Sequence, residues 1–591
     1  MKVFWILGIS LSVLSCTARL PSPALLPLPK QLSLEGGWVQ QDMQPEVVWT
    51  DSIPGAKLNG EEAYRLTVGK SGIRIEATTE KGRWNALQTL RQLEKGGRVP
   101  KCTITDWPSF RVRGWMMDVG RTFLSLEELY REVEVFSRFK LNVFHLHLTE
   151  NEAWRLESKQ YPQLNAPENM FRQPGLYYTQ EQMRALDAYC RERGVTLVPE
   201  IDMPGHSRAF EKAFGFGMQT PEGLAVVKEL LAEVLEVFSS EYIHIGTDEV
   251  QFTYPSFVPE VVAFVRSHGR KAISWNPGWQ YAPGEIDATQ LWSYRGKAQP
   301  GIPAVDCRLH YINHFDLFGD MVGLHTSRIC NFDEGSSDMA GSIICLWNDR
   351  YIEEEEEIIR SNNLYASALA LADRAWRGGG WQYFDDFGTI LPESGPARDD
   401  FLHFEGRMLP YLEELPSDYV AQGMAHWALS PVYPNGGKLE AVFPPEEGAW
   451  ETERTVSGSG IYLRHVWGPS IVAGVYSHPE PNSTVYARTR VYSPAAQDVG
   501  LLFETQNHSR SEWDAAAPEG AWDHRCSRLW INGEEIVPPA GQVRLEKGWN
   551  TVLVKLPVGA FSTAETRLVK WMFTCAFTTT DGSRAADIRY D

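Results

Sequence analysis

Beyond the first fourteen positions no run of 18 apolar residues occurs, so no later segment has the length to span a bilayer as a helix. Cysteine is sparse: eight in 591 residues, widely scattered and with no CxxC pair, which excludes a zinc knuckle and a dense disulfide framework. Positive charge is short too. Lys and Arg total 56 against 76 Asp and Glu, a net charge of −20, so the basic footprint of a nucleic-acid binder is missing. Low-complexity and collagen-like tracts are absent as well. What remains is 43% hydrophobic and 22% charged, the balance of a globular chain able to bury large cores. At about 150 residues per domain its length suggests three to four domains. Aromatics reach 12%, with 21 Trp and 22 Tyr. They serve either the cores or flat surfaces that stack on sugars.

The amino terminus reads as an address. Met1-Lys2 precedes an apolar stretch over residues 3–14, and Ser15 puts a small residue immediately before Cys16. This is the pattern of a lipoprotein signal peptide over residues 1–15, with cleavage before Cys16 and lipidation of its thiol. An ordinary secretory signal is the alternative. Either way the protein is expected to be exported. In the first case it is lipid-anchored at a bacterial cell envelope, periplasmic or at the surface, and touches membrane only through the lipid. The other cysteines (Cys102, Cys190, Cys307, Cys330, Cys345, Cys526 and Cys575) form an odd-numbered set and read mostly as buried small hydrophobes.

Three composition regimes follow. Over residues 22–106, short strand-like runs such as 72–76 precede a helical pattern at 82–93, the makings of a small α+β domain. Over 107–415, strand, loop and helix alternate. Candidate strands lie at 113–119, 142–148, 196–201, 242–245, 272–275, 290–293, 304–309 and 342–347. Ser125 with Glu128 and Thr179 with Gln182 have capping-box spacing, and Thr220-Pro221 opens a further helix. Eight strands alternating with helices predict a (β/α)8 TIM barrel, irregular in the two late connections that lack helix signals. An amphipathic stretch ending at 415 closes it. Residues 429–591 hold only short alternating runs and turn signals such as Asn532-Gly533, predicting an antiparallel β-sandwich, possible support for a carbohydrate-binding face.

In such a barrel, chemistry gathers at the carboxyl ends of the strands. Those ends read Asp118-Val-Gly-Arg121, His145-Leu-His147 with Glu150, Glu200 to His206, and His244 to Asp248-Glu249. Later strands deliver Trp275, Trp292 and Trp347. Carboxyls, a histidine, an arginine and flat rings at one mouth suit carbohydrate hydrolysis. The adjacent Asp248-Glu249 pair carries most of this, although alone it reads equally as a solvated loop. The five glutamates at 353–357 read as a solvated surface. A competing reading makes His145, His147, His206, His244 and Asp248 ligands of a metal in a barrel amidohydrolase. There the HxH belongs to the first strand, whereas here a strand precedes it.

Residues 113–121, 142–155, 198–207 and 244–249 together resemble glycoside hydrolase family 20, the β-N-acetylhexosaminidases, and 82–93 with 104–108 resemble its amino-terminal domain. The resemblance covers roughly residues 22–415. It implies an exo-acting, retaining hydrolase that releases terminal β-linked GlcNAc or GalNAc from a glycan, with no cofactor and no metal. By the same resemblance Glu249 is the general acid/base, and Asp248 orients the substrate's acetamido group, whose oxygen attacks to give an oxazolinium. Tyr311 donates to that oxygen, Arg121 holds O3 and O4, and Trp275, Trp292 and Trp347 wall the sugar. His206 tunes the acid together with Glu150. Three positions depart from the family pattern: Glu150 for Asp, Asn313 for Asp, and Asp349 for Glu. The last two sit at the O4 and O6 edge. They leave open a variant specific for 6-sulfated GlcNAc or a lacto-N-biose unit, and a catalytically idle surface glycan-binding protein stays open beside them.

Overall fold

The computed structural model describes residues 24–40, 44–308, 310–312, 318–381, 390–417, 419, 421–467, 470–472, 474–476, 480–506, 526–537, 541–560, 570–580, 585 and 587–591. Cys16 and Asn313, both singled out above, lie outside them.

Strands β1 (Gln31–Gln40), β2 (Glu46–Trp49), β3 (Tyr64–Gly69), β4 (Gly72–Ala77) and β5 (Arg98–Asp106) form one sheet in the order β1-β5-β3-β4-β2. Alternation along β3 and β4 turns Leu66, Val68, Ile73 and Ile75 onto one face, where helix α1 (Glu80–Leu93) covers them with Ala86, Leu90 and Leu93. Buried charge fastens this layer to the next. Arg113 donates to Glu62 at 3.1 Å, and Lys140 donates to Asp106, also at 3.1 Å.

Eight parallel strands then close a barrel: β6 (Val112–Asp118), β7 (Val143–His147), β8 (Thr196–Met203), β9 (Tyr242–Gly246), β10 (Lys271–Asn276), β11 (Ala288–Leu291), β12 (Ala304–Asp306) and β13 (Met339–Leu346), which pairs back onto β6. Helices α2 (Leu126–Arg138), α3 (Gln180–Glu192), α4 (Arg208–Phe214), α5 (Pro221–Val237) and α6 (Phe257–Ser267) brace the first four connections. The connections from β10 to β11 and from β11 to β12 carry no helix, as the thin helix signal there predicts. After them come the short α7 (Met321–Thr326), then α8 (Glu355–Ser361), α9 (Leu364–Arg377) and α10 (Pro396–Leu412).

Two local readings change. Thr179 and Gln182 form the expected reciprocal capping box, but Ser125 and Glu128 form half of one. Ser125 accepts from the Glu128 N–H, whereas the Glu128 carboxyl turns inward to Tyr365 and Arg131. Its place at the helix start is taken by Glu355, which accepts from both the backbone N–H and the hydroxyl of Ser125. One member of the supposedly solvated glutamate run is therefore a tertiary cap.

From His426 the chain forms two antiparallel sheets whose inner faces share a core that includes Trp427, Leu463, Val485, Val554 and Phe573. Asn532 and Gly533 both take positive φ, 55° and 84°, in the tight turn between Arg528–Ile531 and Glu534–Ile536. This unit meets the barrel loop before α7. Tyr462 packs on Phe318 at 4.6 Å, and His465 Nε2 lies 3.3 Å from Asp320 Oδ2. Cys102, Cys190, Cys307, Cys345 and Cys575 are buried, each as a free thiol. No helix among the described residues is long and apolar enough to cross a membrane.

Candidate active site

The two adjacent carboxyls emerge from a strained turn. Gly246, Thr247 and Glu249 have φ of 66°, 84° and 49°, a left-handed run that a β-branched residue rarely joins. Thr247 is held there by a 2.5 Å hydroxyl contact with Ser274. Position 246 must be glycine, because a Cβ would lie 1.7 Å from Asp202 Oδ1. The turn sends the two side chains to different environments. Asp248 is nearly buried, while the Glu249 side chain is 55% exposed.

His206 stands between them, its Nε2 at 3.6 Å from Glu249 Oε2 and 4.0 Å from Asp248 Oδ2. Its Nδ1 meets Glu150 Oε1 at 2.8 Å. Glu150 also receives Arg121 Nη2 at 3.1 Å and lies 3.6 Å from His147 Nε2. His147 Nδ1 reaches Glu200 Oε2 at 2.6 Å. A line of alternating sign therefore climbs from the barrel interior to the mouth: Glu200, His147, Glu150, His206, Glu249. Departing from the resemblance pattern at position 150 does not break it.

This line fixes the protonation states. Burial opposes charge on His206, but the hydrogen bond to Glu150 and the carboxylates beyond it push its pKa up to about 12. Burial likewise resists ionisation of Glu150, yet the His147 and His206 rings and the Arg121 guanidinium bring it down to about 2. Contact with His206 holds Glu249 below the usual carboxylate range. For Asp248 burial dominates and, with Glu200 and Glu249 nearby, raises it to about 7 against the pull of His206. Below about pH 7 the pair thus keeps one proton, and it rests on Asp248.

Glu200 is the residue that sequence reading passed over. Fully buried, it accepts from Trp275 Nε1 at 2.6 Å and meets His145 Nε2 at 2.9 Å, His147 and His244 Nδ1 at 3.1 Å. The signal lay in β8 itself, where Glu200 and Asp202 share one face of an otherwise apolar strand. In a barrel such a face points inward. The five ligands of the metal reading do not form one set. His145 and His244 group with Glu200, His206 and Asp248 group with Asp202, and His147 groups with Glu150 and Asp202.

An aromatic wall adjoins Asp248 through Tyr311. Trp347 stands edge-on to His147 at 4.8 Å, 5.9 Å from the Tyr311 ring and 5.6 Å from Trp275, with the Arg121 guanidinium 5.2 Å above it. Its indole N–H is buried on the Tyr311 side. Tyr311 is set in place by pairing with Cys345 on β13. Trp275 has no exposed surface and backs Trp347 from the barrel interior, so the structure makes it a floor rather than an open wall. Trp292 is half-buried, its N–H given to Pro277 O at 2.6 Å. Arg121 is gripped by Asp118 at 2.8 Å, and Asp349, largely exposed, sits 3.8 Å from its Nε at the rim. The expected site residues among those described converge on one mouth.

Known proteins align with this chain in the same places. The family model described as glycosyl hydrolase family 20, catalytic domain, matches residues 110–222 and 211–283, and that family's domain 2 matches 22–107. Among curated relatives, a beta-hexosaminidase of Vibrio furnissii is 36% identical over 230 residues, covering 32% of this chain and 38% of its own length. A beta-N-acetylhexosaminidase of Cellulomonas fimi is 29% identical over 288 residues, 43% of this chain and 58% of its own. The match thus spans less than two thirds of either relative. The solved beta-N-acetylhexosaminidase of Bacteroides fragilis superposes with a TM-score of 0.54 at 25% identity, over 62% of this chain and 93% of its own. Residues 22–107 and 110–283 thus match, in order, domain 2 and the catalytic domain of glycosyl hydrolase family 20.

Proposed function

We infer that the protein is an exo-acting, retaining β-N-acetylhexosaminidase that removes terminal N-acetylhexosamine by substrate-assisted catalysis. The observation that carries this reading is the pairing of adjacent carboxyls in unlike environments. Asp248 is sunk beside Tyr311, and Glu249 is open to solvent.

A terminal sugar seated against Trp347, with Arg121 at its far hydroxyls, covers Glu249. Burial then raises the acid's pKa, and the single proton of the pair passes from Asp248 to Glu249. Glu249 gives that proton to the departing glycosidic oxygen while the acetamido oxygen attacks C1. Asp248, now ionised, faces the positive charge that develops on the oxazolinium. Glu249 next takes a proton from water as that water opens the ring at C1. Tyr311, kept neutral by burial, supplies a hydrogen-bond donor. Turnover of aryl β-N-acetylglucosaminide and galactosaminide, with no turnover of the matching β-glucoside, is the expected result. Efficient cleavage of the glucoside refutes substrate assistance, and no turnover of any of them favours the idle glycan binder.

A narrower reading rests on the rim. Asp349 is a methylene shorter than the family's Glu, and Asn313 carries no charge where the resemblance expects one. Two like charges about 4 Å apart cost about 4 kcal/mol at an effective dielectric of 20, so the neutral amide favours tolerance of a 6-O-sulfate. The expected result is a kcat/KM ratio for 6-sulfated over plain GlcNAc that falls in Asn313→Asp. An unchanged ratio disposes of the idea. The Cys16 motif supports envelope anchoring: Cys16→Ser should leave the membrane fraction with unchanged specific activity, and if it still pellets with membranes after a salt wash the motif is not an anchor.

A further inference from the structure

A groove runs from Glu249 away from Tyr311 and Trp347. It passes between the loops after β9, β10 and β11, and its lining includes Phe252, Trp292, Arg295, Lys297 and Gln299. Because Glu249 is the acid in the function proposed above, on which this inference rests, a group leaving past it enters this groove. Arg295 and Lys297 are exposed there, and among the described residues neither has a carboxylate within ion-pair distance. Arg308, the next cation along the chain, is by contrast committed to Asp306 at 2.8 Å.

Their loop is also firmly built. Gly296 N–H closes a turn onto Ser293 O at 2.7 Å, Asn276 donates to Lys297 O at 3.1 Å, and Arg308 donates to Gly296 O at 3.0 Å. A Cβ at Gly296 would come within 2.5 Å of Asn276 O, so the backbone is seated tightly against the end of β10. The cations are thus presented from a fixed loop, next to a ring (Trp292) on which a sugar can lie.

We propose that this groove is a leaving-group subsite for an anionic sugar, one bearing a sulfate ester or a carboxylate next to the scissile N-acetylhexosamine. Each exposed ion pair contributes about two- to fivefold, and added salt screens it.

The test compares kcat/KM for terminal β-linked GlcNAc on a neutral, a sulfated and a uronic acid sugar, with an uncharged aryl glycoside as reference. Expected is a preference of about four- to twentyfold for an anionic leaving group at low ionic strength, lost in 0.5 M salt and lost in Arg295→Gln/Lys297→Gln, while the aryl glycoside rate stays unchanged. Whichever anion is preferred identifies the source. A ratio near one in the wild type, or one retained by the double variant, overturns the proposal. Failure of the aryl glycoside to turn over strikes instead at the hexosaminidase reading. The groove is then judged by calorimetric binding of the same disaccharides to Glu249→Gln, where equal affinity for neutral and anionic forms overturns it.

Discussion

The barrel is two unlike halves. From β6 to β10 the strands run five to eight residues, the first four connections carry long helices, and the family 20 catalytic model matches throughout. From β11 to β13 two strands shrink to four and three residues, the connections are mostly irregular, and the match has ended. The titratable groups divide the same way. Glu200, His147, Glu150, His206, Asp248, Glu249 and Arg121 all stand on the first half, whereas the second contributes Trp292, Tyr311, Trp347 and the two groove cations. Proton chemistry tolerates misplacement of only a fraction of an ångström, so it belongs on braced strands. Recognition is varied most easily on loops. In the proposed function the reaction therefore rests on the half that the family model matches, and the choice of glycan on the half beyond it.

The sharpest way to break this division is Glu249→Gln. An amide cannot protonate the leaving oxygen, and general acid help is worth about 10²–10⁴-fold, so kcat/KM should fall by that factor on poor leaving groups and far less on very acidic ones. Equal losses for both classes would take Glu249 out of the acid role. The next largest effect is expected one layer down. Glu200→Gln withdraws the charge that four partners share, which should lower kcat by up to about 10²-fold through misplaced His147 and Glu150, with KM little changed. Removing one side of a buried ionic cluster also costs about 3–5 kcal/mol in denaturant unfolding. A loss of stability with kcat intact would make Glu200 only a scaffold.

The first half should also set the pH profile. Below about 7 the Asp248–Glu249 pair holds one proton and above it none, while His206 stays cationic up to about 12. Productive turnover needs that proton on Glu249. As pH rises through about 7, kcat/KM should therefore fall tenfold per unit, a limb that belongs to the pair as a whole. Asp248→Asn leaves only Glu249, held low by His206, so the limb should move below 7. A limb fixed at 7 in that variant would point to a different group. Trp292→Ala, in the second half and away from Asp248, should raise KM and leave the limb in place, and it serves as the control.

The two halves were unequally legible in the sequence. The first announces itself, because each long strand ends in a recognisable group of polar residues, and Asp248-Glu249 could be named with its neighbours before any coordinates. Glu200 has no legible role in its motif, since a charged residue inside an apolar strand has no address until barrel closure turns that face inward. Ser125 and Glu128 had the right spacing but bond reciprocally only if Glu128 is free, and Tyr365 and Arg131 claim it. Arg295 and Lys297 are plain surface cations in one dimension. What marks them is that they share a groove with Glu249, a property of three-dimensional neighbours that no spacing rule encodes.

The smallest expected effect tests whether the halves are separable at all. Glu355, which follows β13, accepts both hydrogen bonds of Ser125 at the start of α2 and so ties the second half to the first. Its charge also faces Glu128 and Glu132, whose carboxyls burial has already pushed above the ordinary range and which Glu355 pushes further. The two effects oppose each other. Glu355→Ala loses the acceptor and the favourable anion at a helix amino terminus, about 0.5–2 kcal/mol, and regains part of it as repulsion is relieved. Glu355→Gln keeps an acceptor and removes only the charge, so it should be near neutral or slightly stabilising. In both variants kcat, KM and the limb near pH 7 should be unchanged, because α2 carries none of the groups in the line from Glu200 to Glu249. If either variant lowers kcat or moves the limb, the brace between the halves transmits to the acid, and the division drawn here fails.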